Sequence, residues 1–216
     1  MSLRTTTAMP SQGRTAEEFW EALYQGASPR STGRPSAALV RYCTDLAPGR
    51  ALDLGCGRGD DSVWLAQRGW ATTAVDVAPT ALRYAADNAE RAGVPGRIVF
   101  ERHDLDQTFP NGAFDLVIAL FLHSPIAFAR DRALQRAARA VALDGALLIV
   151  EHASRAPWSW SPPETTYPAP EETLSALQLP ATGWSCDVGA EERIATGPGG
   201  QRALVKDNVL LLRRRS

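Results

Sequence analysis

Lysine is almost missing from this sequence of 216 residues. Lysine and arginine together number 23, and Lys206 is the single lysine, so all the others are arginine. With 24 acidic residues the formal net charge is −1, so no overall field would draw the chain to nucleic acid or to an anionic membrane. We therefore expect a small neutral or mixed-charge partner, and neither nucleic acid nor a membrane.

Cysteine and long apolar runs are also scarce. Cys43, Cys56 and Cys186 are odd in number and widely scattered, which excludes a disulfide framework and a cysteine zinc cluster and predicts no metal site. The N-terminal stretch MSLRTTTAMPSQGR lacks the apolar core of a signal peptide, and no segment approaches the roughly 20 apolar residues of a membrane span. We expect a cytoplasmic protein with a flexible tail over residues 1–14 and a single domain over 15–216.

What the sequence does have, between residues 50 and 152, is a repeated alternation of short apolar runs with longer helical stretches. This alternation is typical of βαβ units, and it predicts an α/β fold with a doubly wound, mostly parallel sheet between two helical layers. Helical spacing of Ala, Leu and Arg predicts helices over 60–69, 80–92 and 130–142. The predicted strands are RALDLG (50–55), ATTAVDV (71–77), RIVFER (97–102), FDLVIAL (114–120) and GALLIVE (145–151).

The segment before this core predicts a helical lid over residues 15–45. Thr15 followed by Glu18 in TAEEFWEALYQG is typical of a capping box and predicts a helix that ends near Gly26. Trp20 and Tyr24 lie four residues apart, hence on one face of that helix, where they could close over a bound cofactor.

The segment after the core begins with a stretch dense in proline and aromatic residues, RAPWSWSPPETTYPAP, which predicts a structured loop over 153–170. Aromatic residues in a surface loop indicate contact with a ligand, so Trp158, Trp160 and Tyr167 are candidate substrate-binding residues. Two strand-like runs separated by TGPGG then predict a C-terminal antiparallel hairpin.

A glycine-rich turn, ALDLGCGRGDDS, follows the first predicted strand. In open parallel sheets ligands bind beyond the carboxyl ends of the strands, where such a turn leads into a helix. Asp76 ends the second strand about 20 residues after Gly55, where a carboxylate would hold the hydroxyl groups of a ribose. The spacing predicts a cofactor that contains adenosine.

Two cofactors compete for this turn. The dinucleotide motif needs Gly or Ala at position 60, where Asp60 stands, and Asp60 and Asp61 would repel a diphosphate. S-adenosylmethionine has no phosphate and carries a sulfonium and an ammonium, so the charges favour it; at least one of the two acids is expected to serve only as a helix cap. A nicotinamide oxidoreductase, for which no Tyr-x-x-x-Lys pair is evident, and a non-catalytic cofactor-binding protein stay as alternatives.

The ordered motifs ALDLGCGRGD, TAVDVAP, RHDL, FDLVIALFLH and ALDGALLIVE resemble the class I S-adenosylmethionine-dependent methyltransferases. The upstream FWEALYQ and GRPSAALVRY, and the HS pair after the fourth strand, resemble the small bacterial members related to tellurite-resistance and thiopurine or thiol methyltransferases. The resemblance implies a Rossmann-like, seven-stranded, three-layer fold with an antiparallel last strand. It also implies methyl transfer from S-adenosylmethionine to a small molecule. The narrower resemblance implies a thiol or another soft nucleophile as the acceptor group, and a nitrogen or oxygen acceptor stays open.

The same motifs imply roles for individual residues. Asp53 and the glycines would shape the methionine pocket, Asp76 would hold the ribose, Asp104 and Leu105 would meet the adenine, and Phe121 would line the floor. The cofactor-binding residues implied, together with the lid aromatics, are Asp53, Gly55, Cys56, Gly57, Gly59, Asp76, Val77, Asp104, Leu105, Phe121, Trp20 and Tyr24.

Methyl transfer from a sulfonium needs mainly alignment, and a base only where the acceptor arrives protonated. His123, just after the fourth strand, is the first candidate for that base, because histidine titrates near neutral pH. His152, after the fifth strand, could face the same cleft.

Overall fold

A seven-stranded sheet forms the centre of the computed structural model, which describes residues 13–159, 161–197 and 199–215. Most of the expected tail over 1–14, and the candidate Trp160, lie outside the described residues. The strands are β1 (Arg50–Leu54), β2 (Ala71–Asp76), β3 (Ile98–Arg102), β4 (Phe114–Leu120), β5 (Val141–His152), β6 (Trp184–Thr196) and β7 (Arg202–Arg214).

The strand order confirms the predicted fold class. The order is β3-β2-β1-β4-β5-β7-β6, and the first five strands in this order pair in parallel. β7 pairs antiparallel with both β5 and β6, so the C-terminal hairpin enters the sheet with β7 inside and β6 at the edge. The direction in which the chain adds strands reverses between β1 and β4, and in open α/β sheets such a switch point opens a crevice.

Six α-helices accompany the sheet in the described residues: α1 (Ala16–Gln25), α2 (Ala37–Cys43), α3 (Asp60–Gln67), α4 (Pro79–Arg91), α5 (Arg130–Arg139) and α6 (Pro170–Ala176). The capping box of α1 is present, with Thr15 accepting from the backbone of Glu18 and the Glu18 carboxylate accepting from the backbone of Thr15. α6 begins where the proline-rich loop ends, with Pro170 in its first turn, a position that proline favours. α5 ends earlier than predicted, because Val141 already pairs with Phe114 in the sheet.

The two faces of the sheet carry separate hydrophobic cores, as the alternation of side chains along a strand requires. On one face Val117 of β4 belongs to the same buried cluster as Leu134 of α5. On the other face Leu116 clusters with Leu39 of α2 and Leu65 of α3. None of the helices in the described part of the chain combines the length and the apolar character that crossing a bilayer requires.

Candidate functional site

A cavity of about 140 Å³ opens at the carboxyl ends of β1, β2, β3 and β4. Because parallel strands end on the same edge of the sheet, residues far apart in sequence meet there. We call this space the first cavity. It is lined by Ala16, Trp20, Tyr24, Gly55, Asp76, Val77, His103, Asp104, Leu105, Phe121, Leu122, His123, Ser124 and Phe128.

The glycine-rich turn is fastened to the end of β2. The backbone N–H groups of Gly55 and Cys56 both donate to the carbonyl oxygen of Val75 at 2.9 Å. Gly57 donates to Asp76 Oδ2 at 3.0 Å, and Ala78 donates to Asp76 Oδ1 at 3.0 Å. A carboxylate has about four acceptor positions, so Asp76 retains capacity for further hydrogen bonds toward the cavity that it lines.

The first glycines of the turn adopt a backbone conformation that suits them. Gly55 and Gly57 have φ of 73° and 55°, a region that residues with a Cβ rarely enter. A Cβ on Gly55 would stand 2.8 Å from Leu122 Cδ1, and one on Gly57 would stand 2.9 Å from Tyr24 Oη. Glycine is therefore required for the turn to lie this close to the cavity wall.

The charge of the first cavity fits a cofactor without phosphate. Its lining, among the described residues, includes the carboxylates of Asp76 and Asp104 and contains neither arginine nor lysine. A diphosphate would meet acidic side chains there without a cation to neutralise it. An adenosine cofactor with a positively charged sulfonium, by contrast, meets a complementary site.

Helix α1 supplies the aromatic wall that the sequence predicted. Trp20 and Tyr24 both line the cavity with their ring centroids 6.5 Å apart, and Trp20 Nε1 donates to Ser124 Oγ at 3.3 Å. Burial, aided by the nearby Asp76 carboxylate, raises the pKa of the Tyr24 phenol. Tyr24 is therefore a neutral donor at physiological pH.

The acids that follow the turn lie elsewhere, which corrects the charge argument made from Asp60 and Asp61. Asp60 accepts from the backbone of Gly33 at 2.8 Å, and Asp61 accepts from the backbone of Ser36 at 2.6 Å. Both residues start α3 and hold the segment that leads into α2, rather than line the first cavity. The carboxylates that decide between the two cofactors are Asp76 and Asp104.

Four predicted cofactor-binding residues of β1 and its turn do not line the first cavity: Asp53, Cys56, Gly57 and Gly59. Asp53 is buried and accepts from Ser62 Oγ at 2.6 Å. Burial, with a further contribution from the neighbouring Asp61, raises the pKa of Asp53 to about 7. These residues shape the turn from behind, while Gly55, Asp76, Val77, Asp104, Leu105 and Phe121 line the cavity itself.

Phe121 lines the first cavity next to two neighbouring histidines. Its φ of 55° is unusual for a residue with a side chain, and its backbone N–H donates to the carbonyl oxygen of Val150 at 2.7 Å. Its ring lies 4.6 Å from the ring of His152, which is stacked 5.7 Å from the ring of His123. The two candidate bases are thus neighbours, although they line different cavities rather than the same cleft.

His123 and His152 differ in their surroundings. His123 lines the first cavity, and its Nε2 is buried without a hydrogen-bond partner in the described structure. Burial, together with the nearby Arg130 and His152, lowers the pKa of His123 to about 4. The side chain of His152 is 45% exposed, and its Nδ1 lies 3.5 Å from Asp207 Oδ1.

A second cavity of about 240 Å³ lies beside His152. Its lining includes two of the candidate substrate-binding residues, Trp158 and Tyr167, together with His152 and Arg193. Tyr167 meets the ring of His152 edge-on at 6.5 Å. Its other lining residues are Ser154, Ala156, Ser159, Ala195, Thr196 and Val205.

A buried network of charged and polar side chains surrounds Glu151, the residue that precedes His152 in β5. Glu151 is fully buried, pairs with Arg130 of α5, and accepts hydrogen bonds from Thr173 and Asn208. Arg130 also donates to the carbonyl oxygen of Leu122 at 3.1 Å. The network therefore fixes the segment after β4 against β5, α6 and β7.

Sequence reasoning missed Ser124, Arg193 and Asp207. Ser124 belongs to the HS pair that was singled out only for its resemblance. Arg193 and Asp207 lie within the two strands of the hairpin and reach the site only through the pairing of β7 with β5 and β6. A local sequence signal for them does not exist, because the register of those strands brings them there.

The comparisons with known proteins find similarity to methyltransferases. A family described as "Methyltransferase domain" matches residues 51–145. The chain is 27% identical to 2-heptyl-1-hydroxyquinolin-4(1H)-one methyltransferase of Mycobacteroides abscessus, over 86% of this chain and 85% of that protein. It spans only 16% to 51% of the length of several other curated relatives that it matches.

Solved structures share the whole architecture. A structure described under "Conversion of a Disulfide Bond into a Thioacetal Group during Echinomycin Biosynthesis" is 26% identical, covers 92% of this chain and 93% of that chain, and has a TM-score of 0.71. TehB from Haemophilus influenzae is 19% identical, covers 93% of this chain and 67% of its own, and has a TM-score of 0.65, which shows a common fold.

Proposed function

We propose that this chain is a class I S-adenosylmethionine-dependent methyltransferase, as its similarity to methyltransferases supports, and that it methylates a small aromatic or apolar molecule through a thiol or another soft nucleophile. The observation that carries the proposal is the first cavity. It opens at the switch point of the sheet with a buried ribose-type carboxylate and no cation in its described lining. When bound, S-adenosylmethionine supplies an electrophilic methyl group.

The cofactor is held in this proposal by residues of the first cavity. Asp76 accepts hydrogen bonds from the ribose hydroxyls, Asp104 and Leu105 border the adenine, and Gly55 lets the backbone approach the methionine portion. Trp20 and Tyr24 exclude water from above, since α1 walls the cavity with both rings. Exclusion of water and alignment are the main requirements of a methyl transfer.

The acceptor is proposed to bind in the second cavity, with its reacting atom extending past the stacked rings of His152 and His123 to the methyl group in the first cavity. Trp158 and Tyr167 offer flat apolar surface there, which favours an aromatic acceptor. Two relatives support this class: one is named for a hydroxyquinolinone, and the solved structure at 26% identity is described by a reaction of sulfur. His123 and His152 are the candidate bases for an acceptor that brings a proton.

Calorimetric titration with S-adenosylmethionine, S-adenosylhomocysteine and NAD tests the cofactor. We expect micromolar binding of the first two and no heat from NAD, because two carboxylates line the cavity. Binding of NAD alone contradicts the proposal.

Incubation with S-adenosylmethionine and candidate acceptors tests the reaction. Benzenethiol, phenylmethanethiol and 2-heptyl-1-hydroxyquinolin-4(1H)-one form the panel, and mass spectrometry detects each methylated product. Methylation of the hydroxyquinolinone without either thiol would move the acceptor atom from sulfur to oxygen. A protein that binds the cofactor tightly and methylates nothing in a broad panel supports the non-catalytic alternative.

A further inference from the structure

His152 has a fixed partner that the proposed function does not use. His152 ends β5, and Asp207 of β7 is its antiparallel register partner. Asp207 Oδ1 lies 3.5 Å from His152 Nδ1, while Asp207 Oδ2 accepts a hydrogen bond from Arg193 Nε of β6. The arginine therefore holds the carboxylate in place, and the carboxylate faces one nitrogen of the imidazole.

This arrangement determines which nitrogen carries the proton. An ionised carboxylate can only accept hydrogen bonds, so the neutral imidazole presents Nδ1–H to it and keeps the lone pair on Nε2. Burial opposes ionisation of Asp207, but hydrogen bonds from His152 and Arg193 keep its pKa below the usual range. Of the residues that the structure describes, none forms a hydrogen bond with His152 Nε2.

The other histidine is poorly suited to accept a proton. His123 is buried next to Arg130, and its pKa falls to about 4. General bases work best when their pKa lies near the operating pH. The charged and titratable groups that face His152 are Asp207 from β7, Arg193 through that carboxylate from β6, His123 after β4, and Tyr167 from the proline-rich loop.

We propose that His152 takes the proton of an aromatic acceptor bound in the second cavity, and that Asp207 is the positioning residue that sets its tautomer. The inference rests on the proposed function and names its acceptor class: a thiol or hydroxyl that arrives protonated. Nε2 receives the proton, and the electron pair of the broken bond stays on the acceptor atom. That atom forms its new bond to the methyl carbon, and the pair of the carbon–sulfur bond returns to sulfur.

The proton then has a route to solvent. The side chain of His152 is 45% exposed, so the ring returns its proton to water after each turnover. Asp207 itself stays ionised throughout, as in other carboxylate–histidine pairs.

The first test reads the tautomer in the free protein. The sequence contains three histidines, so ¹⁵N-histidine labelling and long-range ¹H–¹⁵N correlation resolve each ring, with His152→Gln for assignment. At slightly alkaline pH we expect His152 protonated at Nδ1, and protonated at Nε2 in Asp207→Asn, since an amide can donate to Nδ1. Protonation at Nε2 in the wild-type protein overturns the inference.

The second test separates proton removal from positioning. Phenylmethanethiol keeps its proton near neutral pH, as a cysteine side chain does, whereas benzenethiol is largely ionised. We expect Asp207→Asn and His152→Gln to lower kcat for phenylmethanethiol about 100-fold, and to change kcat for benzenethiol less than about threefold. Cofactor affinity by calorimetry stays at the wild-type value in both.

Matched variants define the alternatives. Glu192→Gln also converts a carboxylate of the hairpin to an amide, in an exposed pair with Lys206. We expect this variant to keep the wild-type kcat for both thiols. Equal losses on both thiols in Asp207→Asn, or a selective loss in His123→Gln instead, overturn the inference. A wild-type protein that binds S-adenosylmethionine and methylates neither thiol contradicts the proposed function, while the tautomer still decides this inference.

Discussion

Asp76 combines two duties in one side chain. It accepts hydrogen bonds from the backbone of Gly57 and Ala78, and it lines the first cavity. The residue thereby ties the shape of the glycine turn to the ligand that the turn faces. Its partners inside the protein explain how a carboxylate with only 8% of its surface exposed stays in a folded chain.

Replacement of Asp76 by Asn tests the ribose contact. A hydrogen bond to a charged group contributes about 1.5 to 3 kcal/mol, so the dissociation constant of S-adenosylmethionine should rise roughly tenfold or more. The amide also faces two backbone donors, so calorimetry is performed well below the measured Tm. Asp60→Asn is the control, because Asp60 holds Gly33 outside the cavity; an equal loss in both variants argues against a ribose contact.

Asp53 predicts a pH dependence of stability. Burial raises its pKa in the folded protein to about 7 from 3.8, so the folded state binds the proton more tightly than the unfolded state does. The contribution of Asp53 to the free energy of unfolding therefore falls as the pH rises from about 4 to 7, and it stays constant above that range. In Asp53→Asn, which still accepts from Ser62, thermal unfolding across this pH range should show a smaller decline; an unchanged slope assigns the effect to other carboxyls.

At the scale of elements, α1 connects a local sequence signal to the cavity. Its capping box fixes the start of a ten-residue helix whose Trp20 and Tyr24 form the cavity wall. Isolated helices of this length are marginal in water. The helix therefore depends on its cap and on its contacts with the rest of the protein.

Thr15→Ala should loosen this wall. Loss of such a cap costs about 0.5 to 2 kcal/mol of helix stability, so we expect protection of α1 amides in hydrogen exchange to fall and cofactor affinity to weaken by about threefold. Ser36→Ala provides the comparison, because Ser36 precedes α2 without a side-chain capping bond. If both substitutions weaken cofactor affinity equally, the position of the Trp20–Tyr24 wall does not depend on the capping box of α1.

Elements of the parallel core were predictable because their signals are local. β1, β2, β3 and β4 begin and end within a residue of the predicted runs, since a buried strand reads as a continuous apolar run between turn residues. α6 was missed as a helix, and α2 was predicted only as part of the helical segment 15–45, without bounds of its own. Each has seven residues, too few to display a clear helical period. The turn and Asp76 were predictable for the same local reason.

At the scale of the whole molecule, the Glu151–Arg130 pair connects β5, α5, α6 and β7. Both charges are largely withdrawn from water, with 0% and 16% of the side chains exposed. Removal of one partner leaves the other buried and unpaired, which costs about 3 to 5 kcal/mol in comparable cases. The pair therefore constrains how the parallel strands pack with the C-terminal hairpin.

Glu151→Gln should lower the Tm by roughly 6 to 12 °C, from about 3 kcal/mol and the usual scaling for a protein of this size. Glu192→Gln removes an exposed pair with Lys206, so a change of less than about 1 kcal/mol is expected. Differential scanning calorimetry measures both. A Tm of Glu151→Gln within 2 °C or so of wild type shows that the network contributes little to stability.

The part of the site that sequence could not give is the part that depends on register. Asp207 faces His152 only because β7 enters the sheet antiparallel beside β5, with these two residues opposite each other. A shift by one residue would turn the Asp207 side chain to the other face of the sheet. No pattern within either strand specifies that alignment.

The position of β7 between β5 and β6 also sets an order in time. Synthesis proceeds from the N-terminus, and the glycine turn, Asp76 and the end of β4 are complete before residues 202–214 exist. Until that segment emerges, the outer edge of β5 has no partner and His152 has no carboxylate opposite it. A nascent chain therefore contains every described lining residue of the first cavity before it contains the carboxylate that faces His152.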